Sequence, residues 1–251
     1  MAVRCSLAFR VIVCLIALVA AGCSQKTKDS PLAGLNIDFD ALARMGTLTY
    51  NVGLGADPKG NSPSQNFLLE ISVGLLPDAV ALHDTLIVGE SRTRAVMICE
   101  KNAFLYLKTS TLTTQVKGSG QKTETVMVKD GKAVIQSAEG VSLSLDYPPG
   151  TVSQSALFRL VTQLPREKGQ RFVFSSYFDP LGTQVELARP DTPFALEYKG
   201  LQMADVGGQL KELNHFALVG VRRPMQFFVD DRSILQRMST DEGATVMWLV
   251  P

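Results

Sequence analysis

Apolar and polar side chains alternate with a period of two residues through most of the chain, which restricts it to a fold built mainly from β-strands. The clearest case is a pair of segments, 125–129 and 132–136, that flank the dipeptide Asp130-Gly131. This dipeptide accepts the positive φ angles of a two-residue type I′ turn, so the pattern predicts a β-hairpin. The alternation resumes over 141–147, which predicts a strand with one buried and one exposed face.

The same alternation predicts further strands on both sides of this hairpin. They span residues 47–52, 67–75, 85–88, 94–99, 104–108, 170–178, 183–188, 194–199, 213–221, 225–229, 233–238 and 244–250. A loop at 53–64, which contains Pro58, Gly60 and Pro63, interrupts the series. We therefore expect a mainly β (α+β) fold with a long antiparallel sheet.

The period becomes helical only once in the sheet-forming part of the chain, after Pro148-Pro149-Gly150. Apolar residues then recur three and four positions apart, at Ala156, Leu157, Leu160, Val161 and Leu164. Ser153 suits an N-cap and Pro165 a stop, so we predict one central helix from Ser153 to Leu164 that packs its apolar face on the sheet. A shorter helix from Asp38 to Met45, capped by Asp38 or Asp40, is also expected.

The first 23 residues have the three parts of a secretory signal. Arg4 and Arg10 give a basic start, residues 11–20 form an unbroken apolar run, and small residues at 20–22 precede Cys23. A transmembrane anchor is one alternative, but a spanning helix needs about 20 apolar residues, and polar residues follow this shorter run at once. An ordinary cleaved signal with a chance cysteine at the cut is the other alternative.

A cysteine directly after such a small-residue run resembles the lipobox of bacterial lipoproteins. The resemblance implies that Cys23 is lipidated, with palmitate as an attached chain, and that it becomes the first residue of the mature protein. An aspartate after the cysteine would argue for the inner membrane, whereas the residue here is Ser24. The resemblance therefore favours an outer-membrane anchor that faces the periplasm, and the inner membrane or the surface of a single-membrane cell stays open.

Length and charge limit the domain organisation and the possible partners. Cleavage before Cys23 would remove 22 of the 251 residues, and the remaining 229 suit one large β-rich domain or two small ones. We predict a signal peptide at 1–22, a flexible tether at 23–36 and a single sheet domain at 37–251. The mature chain would have 23 basic and 24 acidic residues, and this near-neutral balance offers no electrostatic footprint for nucleic acid.

Cysteine usage points to a fold that relies on its core. Cys5 and Cys14 would leave with the signal and Cys23 would carry lipid, so Cys99 is alone and no disulfide can form within the chain. Cys99 ends an apolar run, where we expect it to be buried as a small apolar residue rather than to be a reactive thiol.

No motif in the chain indicates catalysis, a metal site or a bound cofactor. Its histidines, His83 and His215, have no second ligand or nucleophile spaced near them, so we expect hydrogen-bonded structural roles. The carboxylate pair Asp230-Asp231 is explained by a turn. We therefore predict a protein that is not an enzyme and has neither metal nor cofactor.

The segments around the predicted helix resemble those of LolA/LolB-like periplasmic proteins and allied uncharacterised families. They are Tyr147–Thr151 before the helix, Gln163–Pro165 at its end, and Glu167–Gly169 before an aromatic strand. The resemblance implies an open half-barrel, in which a curved antiparallel sheet with a helix in its mouth cradles lipid acyl chains.

Two hypotheses for function follow, and a third, an enzyme, would need His83 or His215 to meet an acid or a hydroxyl in a cleft. In the first, the curved sheet binds a lipid or another amphiphile in an apolar space of roughly several hundred Å³, closed by the helix or by segment 200–211, with Gly207-Gly208 as a hinge. Trp248 would report such binding if it lay near the mouth. In the alternative, a structural or assembly lipoprotein of the cell envelope docks another envelope protein through a sheet edge or an apolar patch.

The first hypothesis requires certain side chains to share one face of the sheet. By alternation these are Phe172, Phe174, Phe194, Leu196, Tyr198, Met225, Phe227 and Val229. A filled core uses the same kinds of residue, so the pattern alone does not separate a pocket from a core.

Overall fold

The computed structural model describes residues 28–54, 65–179, 184–240 and 245–251. The predicted signal peptide, Cys23 and most of the predicted 53–64 loop lie outside these ranges. Within them the fold is mainly β, as predicted, with 18 strands and two short α-helices.

The strands are numbered in chain order. They are β1 Lys28–Pro31, β2 Leu48–Leu54, β3 Gln65–Leu75, β4 Ala79–Val88, β5 Ser91–Glu100, β6 Leu107–Val116, β7 Gly120–Lys129, β8 Lys132–Gln136, β9 Ser142–Asp146, β10 Val152–Ser153, β11 Gln170–Phe174, β12 Ser176–Asp179, β13 Gln184–Leu187, β14 Phe194–Val206, β15 Gln209–Val219, β16 Met225–Val229, β17 Leu235–Thr240 and β18 Thr245–Leu249.

Fifteen of these strands form one open sheet. Their order is β1-β11-β14-β15-β16-β17-β18-β2-β3-β4-β5-β6-β7-β8-β9. All neighbouring strands are antiparallel except β1 and β11, which are parallel. Because β18 pairs with β2, the last strand of the chain lies inside the sheet, beside a strand from its N-terminal part. Strands β10, β12 and β13 form a separate small sheet.

Both predicted helices are present, and each has a side-chain cap. Helix α1 spans Phe39–Arg44, and the Asp38 carboxylate accepts a hydrogen bond of 2.8 Å from the Ala41 backbone N–H. Helix α2 spans Gln154–Leu160 behind an N-cap at Ser153, and a 3₁₀ turn, Val161–Gln163, continues it. The combined element ends before Pro165, which cannot continue a helix, so the prediction for 153–164 is confirmed.

The core lies between α2 and one face of the large sheet, which we call the inner face; the opposite face is the outer face. The register pairs Phe172 with Leu196 and Phe174 with Phe194 across β11 and β14. Met225, Phe227 and Val229 on β16 and Tyr198 on β14 continue the same face. The predicted shared face is therefore confirmed.

The hairpin predicted around Asp130-Gly131 is also confirmed. It joins β7 to β8, with Lys129 paired to Lys132, and both turn residues have positive φ angles, 50° and 72°. These angles suit a two-residue turn whose twist matches that of the strands.

Several boundaries were predicted wrongly. The prediction at 104–108 covers mainly the turn before β6, and β6 itself runs on to Val116 through a sequence rich in threonine. Threonine suits strands, but with polar residues on both faces the alternation disappears. The segment 170–178 is two strands, β11 and β12, which separate at Ser175 into different sheets.

The predicted burial of one face over 141–147 is wrong for its first part. Val141 is 65% exposed and Leu143 is 46% exposed. Leu143 lies on β9, the last strand of the sheet, whereas α2 packs against β4, β10 and β12. Apolar side chains at this edge of the sheet therefore stay in contact with solvent.

The flexible tether predicted at 23–36 is wrong for residues 28–36. Lys28–Pro31 forms β1 beside β11, and Asp29 forms an ion pair of 3.1 Å with Arg171. Leu32 and Leu35 follow as buried core residues. The burial of Leu32 and Leu35 and the pairing of β1 with β11 hold this polar segment against the domain. Only residues 23–27 therefore remain as a predicted tether.

Candidate functional site

A groove opens where α1, the end of the α2 element and the β16–β17 turn meet, and we call it the α1 groove. Its volume is about 520 Å³. Its lining residues are Asp38, Ala41, Arg44, Met45, Thr162, Gln163, Leu164, Pro165, Arg232, Ser233 and Ile234. A volume of this size lies within the usual range of small-molecule sites.

Hydrogen bonds fix the turn that forms one wall of this groove. The Asp230 carboxylate accepts from the backbone N–H groups of Arg232 and Ile234 at 3.0 and 2.8 Å, so the turn predicted at Asp230-Asp231 is confirmed. The Arg166 guanidinium donates to the Asp230 carbonyl at 2.7 Å and to the Ser233 hydroxyl at 3.2 Å. The segment after α2 is thereby tied to the turn.

The opposite wall is helix α1, which has fewer hydrogen bonds to its neighbours. The Asp38 backbone N–H donates to the Gln163 side-chain oxygen at 3.3 Å. Helix α1 has six residues, of which only Leu42 is buried, and it is followed by Gly46, whose φ angle is 69°. Phe39 and Met45, which are partly buried, also pack against the core. A helix of six residues with so few buried side chains is a segment that can shift at low energetic cost.

The α1 groove combines an apolar surface with arginine side chains. Its apolar residues are Ala41, Met45, Leu164, Pro165 and Ile234. Arg44 and Arg232 add two guanidinium groups, and the carboxylate of Asp38 lies 4.0 Å from Arg44. The groove therefore offers an apolar contact area next to donors that suit a carboxylate or a phosphate.

Behind this groove lies an apolar cleft, the inner cleft, between α2 and strands β2, β3 and β17. Its volume is only about 20 Å³, close to that of a single water molecule's site. Its lining residues include Leu42, Leu48, Tyr50, Ile71, Phe158 and Leu235. Met45 and Thr162 line both the inner cleft and the α1 groove, so these two residues separate them.

The large apolar interior expected for an acyl-chain cradle is therefore not open in this structure. Among the described residues, side chains of the core fill the space between α2 and the inner face. An acyl chain could enter only if α1 or its neighbours moved.

The segment predicted to close such a space has another role. Residues 200–211 belong mostly to the β14–β15 hairpin, whose two-residue turn is Gly207-Gly208. A Cβ atom on Gly207 would lie 3.1 Å from the Trp248 ring, so the turn packs on this ring. Trp248 belongs to a small cluster with Leu213 and Phe228 on the outer face and lines neither cavity near α1.

A buried arginine, which the sequence prediction missed, joins α2 to the sheet. The Arg159 side chain is 3% exposed and forms an ion pair of 2.6 Å with Asp84 on the inner face of β4. It also donates to the backbone carbonyls of Ser155, Ser72 and His83 at 2.9, 3.2 and 3.1 Å. Arg159 is the only charged residue between 153 and 164. This lone charge in an apolar helix is the sequence feature that could have indicated a buried ion pair.

The residues considered for chemistry lie apart from one another. The His215 ring stacks on Phe228 and its Nε2 atom lies 2.6 Å from the Gln226 side-chain oxygen, so its structural role is confirmed. His83 Nδ1 is enclosed without a hydrogen-bond partner among the described residues, contrary to the prediction. Cys99 is buried, as predicted, and burial raises the pKa of its thiol to about 12.

No group of three or more histidine, cysteine or acidic side chains in the described ranges is arranged to hold a metal ion. No helix there is both long and apolar enough to cross a membrane.

The sequence matches no protein-family model, and no curated protein shows significant similarity to it. Among solved structures, the chain is similar to a β-barrel-like protein of the domain of unknown function DUF1849 from Brucella abortus, at 13% sequence identity and a TM-score of 0.47. That similarity covers 81% of this chain and 94% of the other chain.

Proposed function

We propose that this protein is a lipid-anchored, non-enzymatic protein of the cell envelope that binds an anionic amphiphile at the α1 groove. The observation that carries the proposal is the pairing, in one groove, of an apolar surface with Arg44 and Arg232. A fatty acid or a phospholipid has the matching chemistry, because its chain is apolar and its head group accepts from guanidinium donors.

The inner cleft supports the same proposal. An acyl chain that starts in the α1 groove would reach the core by displacing Met45, whose flexible side chain lies between the two spaces. Each methylene group that enters an apolar environment contributes about 0.8 kcal/mol. The chain length of the ligand then determines how far the interior must open.

We expect saturable binding of a fluorescent fatty-acid analogue to the mature chain carrying Cys23→Ala. Its affinity should decrease about three- to tenfold in the Arg44→Gln/Arg232→Gln double variant, because two charge-assisted contacts are lost at a partly exposed site. Fluorescence anisotropy of the analogue measures this change. Trp248 lies elsewhere, so its emission is a poor reporter.

Arg189→Gln is the matched control, because Arg189 is exposed and lies outside the groove. This variant should bind like the parent chain, and a fatty alcohol of equal length should bind more weakly than the acid. Equal binding of acid and alcohol, or no loss in the double variant, would contradict the proposal.

The lipid anchor forms the second part of the proposal and depends on the lipobox sequence that ends at Cys23. Cys23→Ala should abolish acyl attachment and move the exported chain from the membrane fraction to the soluble fraction. Mass spectrometry of the N-terminal peptide and fractionation of cells measure both effects. An unchanged acyl modification in this variant would rule out Cys23 as the site. Separation of the inner from the outer membrane of cells with the unchanged chain tests the outer-membrane location.

Docking of another envelope protein is the second candidate function. The filled core favours it, and so do the exposed apolar residues Met127, Val141 and Leu143 near the sheet edge at β9. Such a protein needs no saturable amphiphile site. The titration above therefore separates the two functions.

A further inference from the structure

A second groove lies on the outer face of the sheet, across β3 to β7, and we call it the outer groove. Its volume is about 650 Å³. Its lining residues are Thr47, Glu70, Ser72, His83, Thr85, Arg92, Arg94, Thr113, Gln115 and Gln121. Every one of them is a polar or charged residue, which separates this groove from the α1 groove.

Strand register places these side chains side by side. Glu70 pairs with Thr85, Thr85 with Arg94, and Arg94 with Thr113, so one row crosses four strands. In the next row Arg92 pairs with Gln115 on β6. Arg92 and Arg94 are two residues apart on one strand, so their side chains leave the same face about 7 Å apart.

These two arginines have no ion-pair partner among the described residues. Basic residues on the neighbouring hairpins do have one, as in the pairs Lys117–Glu90 and Lys122–Glu139. Glu70 lies in the row of Arg94, but Thr85 stands between them. The groove therefore presents guanidinium donors that no carboxylate of the described chain occupies.

His83 lies in the same groove in a confined position. Its ring packs over Gly74 on the neighbouring strand β3, which has no side chain there. A Cβ atom on Gly74 would lie 3.6 Å from His83 Nε2. The pKa of His83 is lowered by burial first and then by the charges of Arg94 and Arg159, which outweigh the opposing effect of Asp84. The ring is therefore neutral at neutral pH.

We propose that the outer groove binds an anionic saccharide, a sugar unit or short chain that carries a phosphate or a carboxylate. Arg92 and Arg94 would hold the anionic group through paired N–H donors. Glu70, together with the threonine and glutamine side chains, provides acceptors and donors for sugar hydroxyls. Nucleic acid is disfavoured, because two positive charges beside one carboxylate are few and the groove has no aromatic ring for base stacking.

The test is a titration of the mature chain carrying Cys23→Ala with glucose 6-phosphate and with trigalacturonate, followed by NMR of the histidine rings. Since the chain has two histidines, His215 is an internal control away from the groove. We expect saturable shifts of the His83 signals and none of the His215 signals. Glucose and inorganic phosphate should each bind at least tenfold more weakly than the phosphorylated sugar.

Binding should also depend on pH with a defined sign. The charged groups near His83 in the free protein are Glu70, Arg92, Arg94, Asp84 and Arg159. A bound anion offsets the charge of Arg94. The pKa of His83 is therefore higher in the complex than in the free protein. The complex then holds more protons than the free protein near and below the ordinary histidine value of 6.5. The affinity for trigalacturonate, whose carboxylates stay ionised there, therefore rises as pH falls through that window. Glucose 6-phosphate is unsuitable for this measurement, because its phosphate loses charge at about pH 6.

The variant Arg92→Gln/Arg94→Gln should lower the affinity for both sugars at least tenfold while the His215 signals stay unchanged. Lys129→Gln is the matched control, an exposed basic residue at the end of β7, and it should bind normally. Undiminished binding in the double variant, equally tight binding of inorganic phosphate, or tighter binding of a polyglutamate peptide would each overturn the proposal.

Discussion

Leu160→Asp is expected to prevent stable folding of the domain. Leu160 is fully buried on α2, where it packs in the core against the inner face. Loss of a buried leucine costs about 2–5 kcal/mol, and an unpaired carboxyl group in an apolar site adds to this cost. A domain of this kind has about 5–15 kcal/mol in total, so most of its stability would be lost. Urea unfolding followed by circular dichroism measures the change.

The matched control is Leu201→Asp. Leu201 is 60% exposed on β14, so the same replacement there should leave the unfolding midpoint nearly unchanged. If Leu160→Asp yields no folded protein, Leu160→Ala should still fold with a loss of about 2–5 kcal/mol. Wild-type melting of the Leu160 variants would show that α2 is not part of the core.

Asp84→Ala is expected to have the other large effect. It leaves the Arg159 guanidinium buried, with its backbone carbonyl partners but without its carboxylate. Removal of one partner of a buried ion pair costs about 3–5 kcal/mol, because the remaining charge is uncompensated. Denaturant unfolding should show the change in the midpoint with a similar slope.

A double variant tests whether the charge is the cause. Asp84→Leu/Arg159→Met removes both charges and should recover most of the stability lost in the single variant. Glu139→Ala removes the carboxylate of an exposed pair with Lys122 and should not shift the midpoint measurably. If the double variant is as unstable as the single one, Arg159 stabilises the fold through its carbonyl contacts instead.

The parts of the fold that depend on local pattern could be predicted from the sequence. Asp130-Gly131 fixes a hairpin by its own φ preferences, and Ser153 with Pro165 bounds a helix by local capping and steric rules. The edge strand β1 could not be found in this way. Four polar-rich residues become a strand only because β11 presents a free edge to them.

The candidate sites are harder to predict, because each combines distant segments. The α1 groove joins Asp38, Gln163 and Ser233, which no spacing rule connects. The outer groove depends on register across β3 to β7, and β6 was largely missed. Arg159 had a visible signal, a lone charge in an apolar helix, but its partner Asp84 lies 75 residues away.

The position of β1 also limits how a lipidated form of this protein could stand on a membrane. Since β1 starts at Lys28, an acyl group on Cys23 would be joined to the sheet edge by a stretch no longer than about 18 Å when fully extended. A link this short would keep the edge formed by β1 and β11 close to the surface of the membrane that holds the acyl group.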